Sequence, residues 1–255
     1  MEVINEVSHW RRLRKSFLST LTIGFVPTMG CLHQGHASLI KKSVTENDLT
    51  ILSIFVNPTQ FNDKNDFNNY PLTPEDDLRL AENLGADYVL MPPKEALYPD
   101  NYLTKIITDH PLSKTMEGEF RVGHFDGVLT IVMKLLQLVK ANNAYFGEKD
   151  YQQFRLIQSM TDAFFIDTKI ISCPTVREAE SNLALSSRNT RLNHQQKNLA
   201  KQYATIFNQY RNNPELINQK LTALGINIEY IKQYENRLLS AVKIGDIRLI
   251  DNVEL

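Results

Sequence analysis

Five short apolar runs, at residues 22–28, 50–56, 86–91, 143–146 and 168–173, alternate with helical patterns at 36–45, 74–84, 127–140 and 150–163. The runs read as buried strands, because their apolar stretches are bounded by turn residues and are too short for helices. Regular strand–helix alternation argues for an α/β fold: a mostly parallel sheet with helices on both faces. In such sheets ligands collect beyond the carboxyl ends of the strands. Several polar motifs of this chain follow the expected strands directly and so share that edge.

The pattern changes after Asn189. A long polar-faced helix is expected over 195–211, broken by Asn212, Asn213 and Pro214, then a second helix at 216–224 and strands at 226–234 and 242–250. The natural division is a domain over residues 1–189 and a small C-terminal α+β domain over 190–255. At 255 residues the chain is long enough for both to have a core. The formal net charge of −1 gives no general surface for nucleic acid or membrane. Cys31 and Cys173 form neither a disulfide framework nor a metal-ligand spacing, which fits a reducing cytoplasm. There is no apolar leader and no run of membrane-spanning length. The basic stretch from Arg11 to Lys15 reads as a solvated helix face rather than a targeting or phosphate-binding patch.

The segment from Gly24 to His36 runs from an expected strand through Gly30 and Gly35 into an expected helix, and it carries His33 and His36. A strand turning into a helix through glycines presents backbone N–H groups and a positive dipole end to an anion. Histidines three residues apart at such a start can lie on one face, and imidazolium is a good donor to a phosphate, especially as negative charge develops during displacement. This is the signature of a nucleotide site. Four further polar segments accompany it. Asn57 and Gln60, after the second strand, carry amides that both donate and accept, suited to a small substrate with hydroxyl and carboxylate groups. Glu75, Asp76 and Asp77 open the 74–84 helix, where acids favour the dipole and could also meet a magnesium ion. Lys149 starts another helix, with Gln153 one turn along on the same face. Ser186, Ser187 and Arg188 form a run of phosphate donors.

From Pro27 to His36 the sequence resembles the signature of the pantothenate synthetase (pantoate–β-alanine ligase) family, within the wider group of nucleotidyl-transferring enzymes with a His-x-Gly-His motif. Four other segments resemble that family in the right order. They are Val56-Asn-Pro-Thr-Gln-Phe61, the stretch from Glu117 to Val128, Gly147-Glu-Lys-Asp-Tyr-Gln-Gln153, and Leu183-Ala-Leu-Ser-Ser-Arg-Asn189. Three departures stand out. Val122 replaces a usual proline, Leu185 replaces a usual methionine, and the 178–182 turn has one added residue with Asn182 in place of glycine. The last change suggests a shifted turn, although asparagine tolerates left-handed geometry better than most residues.

The resemblance implies a Rossmann-like catalytic domain and a C-terminal lid. It implies ATP-dependent condensation of pantoate with β-alanine to pantothenate, AMP and pyrophosphate through pantoyl adenylate. His33, His36, Lys149, Ser186, Ser187 and Arg188 become the groups that stabilise phosphate charge. ATP would be bound by Met29, Gly30, Cys31, Leu32, His33, Gln34, Gly35 and His36, by Gly147, Glu148, Lys149 and Asp150, and by Val176, Leu185, Ser186, Ser187 and Arg188. Gln60 and Gln153 would hold pantoate, with Asn57, Glu117, Arg121 and Tyr70 around them. Asp76 is the implied Mg2+ ligand, with Asp77 beside it, and a homodimer is implied. Two other classes remain in view: a nucleotidyltransferase that stops at the nucleotide conjugate, and a nucleotide-binding regulator without turnover. Against the first stand Asn57, Gln60 and Gln153, which are not a basic pocket for a phosphorylated acceptor. Against the second stand both histidines, Lys149 and the Ser-Ser-Arg run.

Overall fold

The computed structural model describes residues 1–255. The chain divides into two compact units: Met1–Glu148 with Gln152–Cys173, and Pro174–Leu255 with Lys149–Tyr151. The change of unit falls at Pro174, upstream of the change in sequence pattern after Asn189.

The first unit holds one six-stranded parallel sheet. Its strands are β1 (Glu2–Ile4), β2 (Ile23–Thr28), β3 (Leu49–Ile54), β4 (Tyr88–Leu90), β5 (Asn143–Gly147) and β6 (Lys169–Cys173), in the order β1-β4-β3-β2-β5-β6. Its helices are α1 (Val7–Ser16), α2 (Gln34–Glu46), α3 (Lys64–Asn68), α4 (Pro74–Asn83), α5 (Lys94–Leu97), α6 (Glu117–Phe120), α7 (His124–Val139) and α8 (Tyr151–Ala163). All five expected strands and all four expected helices of this region are present, with ends shifted by a few residues. β1 adds a strand that the sequence does not announce, since three residues carry too little pattern. α1 takes up the basic run, with Arg11, Arg12 and Lys15 exposed as expected of a solvated helix face and Arg14 used locally. Arg14 donates from Nε to the Val139 carbonyl at 2.8 Å and from Nη2 to the Lys140 carbonyl at 2.9 Å, closing the carboxyl end of α7. Trp10, fully buried, donates to the Leu138 carbonyl at 2.9 Å.

β2 lies between β3 and β5, so successive strands run outward from β2 to one side and from β5 to the other. The loops that follow β2 and β5 therefore open at the point where the order reverses, the usual ligand crevice of an open α/β sheet. One face is sealed by Val26, Ile40, Leu52, Ala81, Val89 and Tyr145, all without solvent exposure. Each buried Val, Leu or Ile contributes about 1.5–3 kcal/mol, and this rigid layer anchors the loops above it.

The second unit contains α9 (His194–Gln209) and α10 (Pro214–Ala223) over an antiparallel sheet of β7 (Asn227–Tyr234), β8 (Arg237–Ile244) and β9 (Ile247–Glu254). Ala200, Tyr203, Ala204 and Phe207 of α9 pack with Leu238, Val242, Ile244 and Leu249 in its core. The single strand expected over 242–250 is in fact two. Gly245, at φ +63°, turns the chain there, and β8 pairs with β9 from Ile244↔Ile247 to Arg237↔Glu254. An apolar run on both sides of Gly245 hides that turn from a periodicity reading.

Candidate active site

The loop after β2 is built around three constraints. Gly30 has φ +79°, and Cys31 follows at φ +49°. Their chain direction aims the next two backbone N–H groups at a buried carboxylate. Cys31 N–H donates to Asp77 Oδ2 at 2.8 Å and Leu32 N–H to Asp77 Oδ1 at 2.6 Å. Thr73, at the start of α4, donates its hydroxyl to the same Oδ1 at 3.1 Å. Asp77 is 2% exposed, whereas Asp76 is exposed and ion-paired with Arg79 at 3.4 Å.

The two histidines then cap α2 on each other's backbone. His33 Nδ1 accepts the Gly35 N–H at 3.1 Å, and His36 Nδ1 accepts the His33 N–H at 3.3 Å. The rings lie 4.2 Å apart between centroids. A Cβ on Gly35 would fall 2.7 Å from His33 Cε1, so only glycine lets the ring close over the turn. Because Nδ1 of each ring is an acceptor, the proton of each neutral imidazole sits on Nε2. Both rings are thus set as Nε2–H donors at a helix N-terminus.

Beyond β3, Asn57 is 1% exposed and its amide is committed inside the protein. Its Oδ1 accepts the Tyr98 hydroxyl at 2.8 Å and the Thr59 hydroxyl at 3.0 Å. Its Nδ2 donates to Gln60 Oε1 at 2.9 Å and to the Gly127 carbonyl at 3.2 Å. Gln60 therefore has its carbonyl end turned to Asn57 and its NH2 end turned to Met29, with Nε2 3.2 Å from Sδ. That contact puts Gln60 against the residue that starts the histidine loop. The backbone of Gln60 is held from the other side. His124 Nδ1 donates to its carbonyl at 2.8 Å and Arg121 Nη2 at 3.2 Å. Arg121 also meets His124 Nε2 at 3.0 Å and Glu117 Oε2 at 3.4 Å.

α7 comes so close to this turn that a Cβ on Gly127 would lie 2.3 Å from the Thr59 carbonyl oxygen. Tyr70 is buried edge-on against Phe61, with ring centroids 5.7 Å apart. Val122, at the departure from proline, is 81% exposed, and its carbonyl accepts from the Asn62 amide. On α8 the two glutamines part company. Gln152 is buried and ties down the 112–117 loop, donating to the Leu112 and Thr115 carbonyls and accepting the Glu117 N–H at 3.2 Å. Gln153 is only half-buried.

The structure thus brings Met29, His33, His36, Gln60, Glu117 and Arg121 into one unit on loops at the carboxyl edge of the sheet. Sequence reasoning misses Tyr98, gives no role to His124 and Gln152 although both lie inside the segments it singles out, and undervalues Asp77. A tyrosine outside every motif carries no spacing signal, and an acid in the first turn of a helix is normally a dipole effect.

In the second unit, the Lys149 carbonyl accepts from Asn252 Nδ2 at 2.9 Å, and Lys149 Nζ lies 3.5 Å from Asp150. Tyr151 donates to Glu235 at 2.9 Å and carries Arg237 over its ring at 4.7 Å. The 178–182 turn with the added residue is a closed hairpin. Arg177 bridges to Ala184, Leu185 N–H donates to the Val176 carbonyl at 3.0 Å, and Glu178 N–H to the Leu183 carbonyl at 2.9 Å. Asn182 takes the left-handed conformation at φ +59°, as its replacement of glycine requires. Arg177 locks the hairpin by donating to Asn182 O and, bidentately at 2.7 and 2.8 Å, to the buried Asp251. Ser186 caps the 187–191 turn, accepting the Arg188 N–H at 3.3 Å. No group of three or more His, Cys, Asp or Glu side chains is arranged to hold a metal ion. No helix is long and apolar enough to cross a membrane.

A parallel sheet with a histidine-capped loop at its reversal point and the Gln60 amide beside it has the architecture of a nucleotide-dependent enzyme. The family model for pantoate-beta-alanine ligase matches residues 2–254. The chain belongs to that family, whose members condense pantoate with β-alanine using ATP. It is 53% identical over 252 residues to a pantothenate synthetase of Coxiella burnetii, covering 99% of this chain and 96% of the relative. It is 50% identical to one of Legionella pneumophila, covering 99% of both. A crystal structure from Francisella tularensis, of pantoate-beta-alanine ligase complexed with beta-gamma ATP and beta-alanine, superposes with a TM-score of 0.96 at 44% identity. The match covers 100% of this chain and 97% of that one. Pantothenate synthetase from Thermus thermophilus gives a TM-score of 0.91 at 32% identity, the match covering 100% of this chain and 99% of that one.

Proposed function

We propose that the chain makes pantothenate in two steps through pantoyl adenylate, with the phosphate chemistry at the His33–His36 loop and the pantoate carboxylate on Gln60. The observation that supports this reading is the contact between Gln60 Nε2 and Met29 Sδ at 3.2 Å, which puts the Gln60 amide beside the histidine loop. A pantoate carboxylate is a poor electrophile, since its leaving group would be oxide. One carboxylate oxygen attacks the α-phosphorus of ATP, the bond to the bridging oxygen breaks, and pyrophosphate leaves with that electron pair. The neutral β-alanine amine then attacks the acyl carbon, AMP departs with the electrons of the acyl–oxygen bond, and the nitrogen loses a proton.

Positioning and charge stabilisation drive both steps. His33 and His36 donate from Nε2 to phosphate oxygens, with His36 the proton donor. Lys149, Ser186, Ser187 and Arg188 share the remaining triphosphate charge, and Met29–His36, Gly147–Asp150, Val176 and Leu185 enclose the nucleotide. Gln153 joins Gln60 on pantoate. Asn57 serves by orienting Gln60, and Glu117, Arg121 and Tyr70 serve by shaping the loops around it. Residues 190–255 act as the lid, and the working form is a cytoplasmic homodimer.

Magnesium is the expected companion of ATP and would neutralise charge on its phosphates. The carboxylates here do not make a protein-built site, because no three metal-ligating side chains converge and Asp77 is engaged by backbone N–H groups. In this reading the metal belongs to the nucleotide and takes no ligand from α4.

The test is incubation with ATP, Mg2+ and pantoate, with and without β-alanine, followed by mass analysis. Pantothenate and AMP only when the amine is present supports the reading. A lasting nucleotide conjugate indifferent to β-alanine overturns it in favour of a transferase.

A further inference from the structure

Tyr98 lies outside every sequence motif of the site, yet its hydroxyl heads a chain that ends at the substrate amide. The ring is 2% exposed and packs against Tyr102, with centroids 5.5 Å apart, and Phe55 at 6.3 Å. The hydroxyl donates to Asn57 Oδ1 at 2.8 Å; Asn57 Nδ2 donates to Gln60 Oε1 at 2.9 Å; Gln60 Nε2 is left to face Met29 and the histidine loop. An amide side chain is nearly symmetric in shape, so its orientation is decided by hydrogen bonds alone. The tyrosine hydroxyl acts with the Thr59 N–H, which donates to the same Oδ1 at 3.4 Å, and the Gly127 carbonyl, which accepts from Nδ2 at 3.2 Å, to make Asn57 present its amide to Gln60, and Asn57 then makes Gln60 present donors and withhold its carbonyl.

We propose that Tyr98 is a positioning residue that fixes the polarity of the pantoate pocket, holding Gln60 as an obligate donor to a carboxylate or hydroxyl oxygen. The proposal rests on the reading that Gln60 binds pantoate. Thr59 bonds the same Oδ1 at 3.0 Å and approaches the Tyr98 hydroxyl at 3.3 Å, so it steadies the arrangement without replacing the tyrosine. Burial pushes the Tyr98 phenol up to about 12, so it remains a proton donor over the whole working range of pH.

The experiment compares Tyr98→Phe, Gln60→Ala and the double variant by kcat/KM for pantoate, KM for ATP and Tm. Tyr98→Phe keeps the ring and removes only the hydroxyl. The expected result is a roughly tenfold loss in kcat/KM for pantoate, KM for ATP within about twofold, and a Tm within a few degrees of the parent. In the Gln60→Ala background the same change should cost less than about twofold, because the group it acts through is gone. Equal losses in both backgrounds, a parallel rise in KM for ATP, or no loss in the parent would overturn the role of Tyr98. A Gln60→Ala enzyme with unaltered pantoate constants would instead overturn the pocket assignment itself.

Discussion

Asp77 accepts the backbone N–H of Leu32 at 2.6 Å, one residue before the first histidine, and so fixes the loop from a helix that is remote in sequence. Its other oxygen takes the Cys31 N–H, and Gly30 makes room, since a Cβ there would lie 2.9 Å from Oδ2. Hydrogen bonds to a charged group contribute about 1.5–3 kcal/mol each, and a buried N–H left unpaired costs its desolvation as well. Asp77→Asn turns one acceptor into a donor facing N–H groups. It should lower stability by about 2–3 kcal/mol in denaturant titration and raise KM for ATP about tenfold. Asp76→Asn should leave stability within ~0.5 kcal/mol and leave the Mg2+ dependence of turnover unchanged. A shifted Mg2+ requirement in that variant would restore Asp76 as a metal ligand.

The histidine tautomers are a direct consequence of capping. With Nδ1 of each ring accepting a backbone N–H, nitrogen-15 spectra of the neutral rings should report both as Nε2–H forms. Replacing His36 by Ala removes the proposed phosphate donor together with the cap on the His33 N–H. Adenylate formation should fall about 10²–10³-fold, whereas stability should fall by only about 1 kcal/mol. An Nδ1–H signal on either ring would contradict this arrangement.

What is legible in the sequence is whatever lies close together along the chain. The β2–histidine–α2 segment declares itself because a strand, two glycines, two histidines and a helix follow in order, and each is needed for the next. Asn182 is readable for the same reason: one residue type, one backbone conformation. Long-range partnership is not legible. Tyr98 reaches Asn57 across 41 residues and Gln152 reaches Leu112 across 40; no local pattern links them. Asp76 and Asp77 are indistinguishable as letters, and only the phase of α4 against the sheet buries one and exposes the other. The β8–β9 turn escapes notice because apolar residues continue on both sides of Gly245.

Gly127 tests how tightly α7 clamps the Asn57–Gln60 turn. Alanine there would drive Cβ into the Thr59 carbonyl and within 2.8 Å of the Gln60 nitrogen, both of them backbone atoms. Overpacking against backbone costs about 1–3 kcal/mol, so Tm should fall by several degrees and kcat/KM for pantoate with it. Gly147→Ala is the counterpart, since nothing lies within 4 Å of its Cβ. That variant should keep its Tm, so any rise in KM for ATP would report contact between nucleotide and the loop after β5.

The hairpin with the added residue depends on a buried ion pair rather than on its turn residue. Asn182→Gly relieves the left-handed strain at φ +59° but makes the unfolded chain more flexible, and these effects nearly cancel. Stability should change by less than ~1 kcal/mol. Asp251→Asn is different, because Asp251 is 3% exposed and is bound bidentately by Arg177, which also holds the Asn182 and Asn252 carbonyls. Removing the negative charge leaves a guanidinium in a poorly solvated place, a loss of about 3–5 kcal/mol. The hairpin amides of Glu178 and Leu185 should then lose hydrogen-exchange protection together, ahead of the strands of the parallel sheet. If they stay protected in Asp251→Asn while Asn182→Gly exposes them, the turn residue and not the ion pair carries the hairpin.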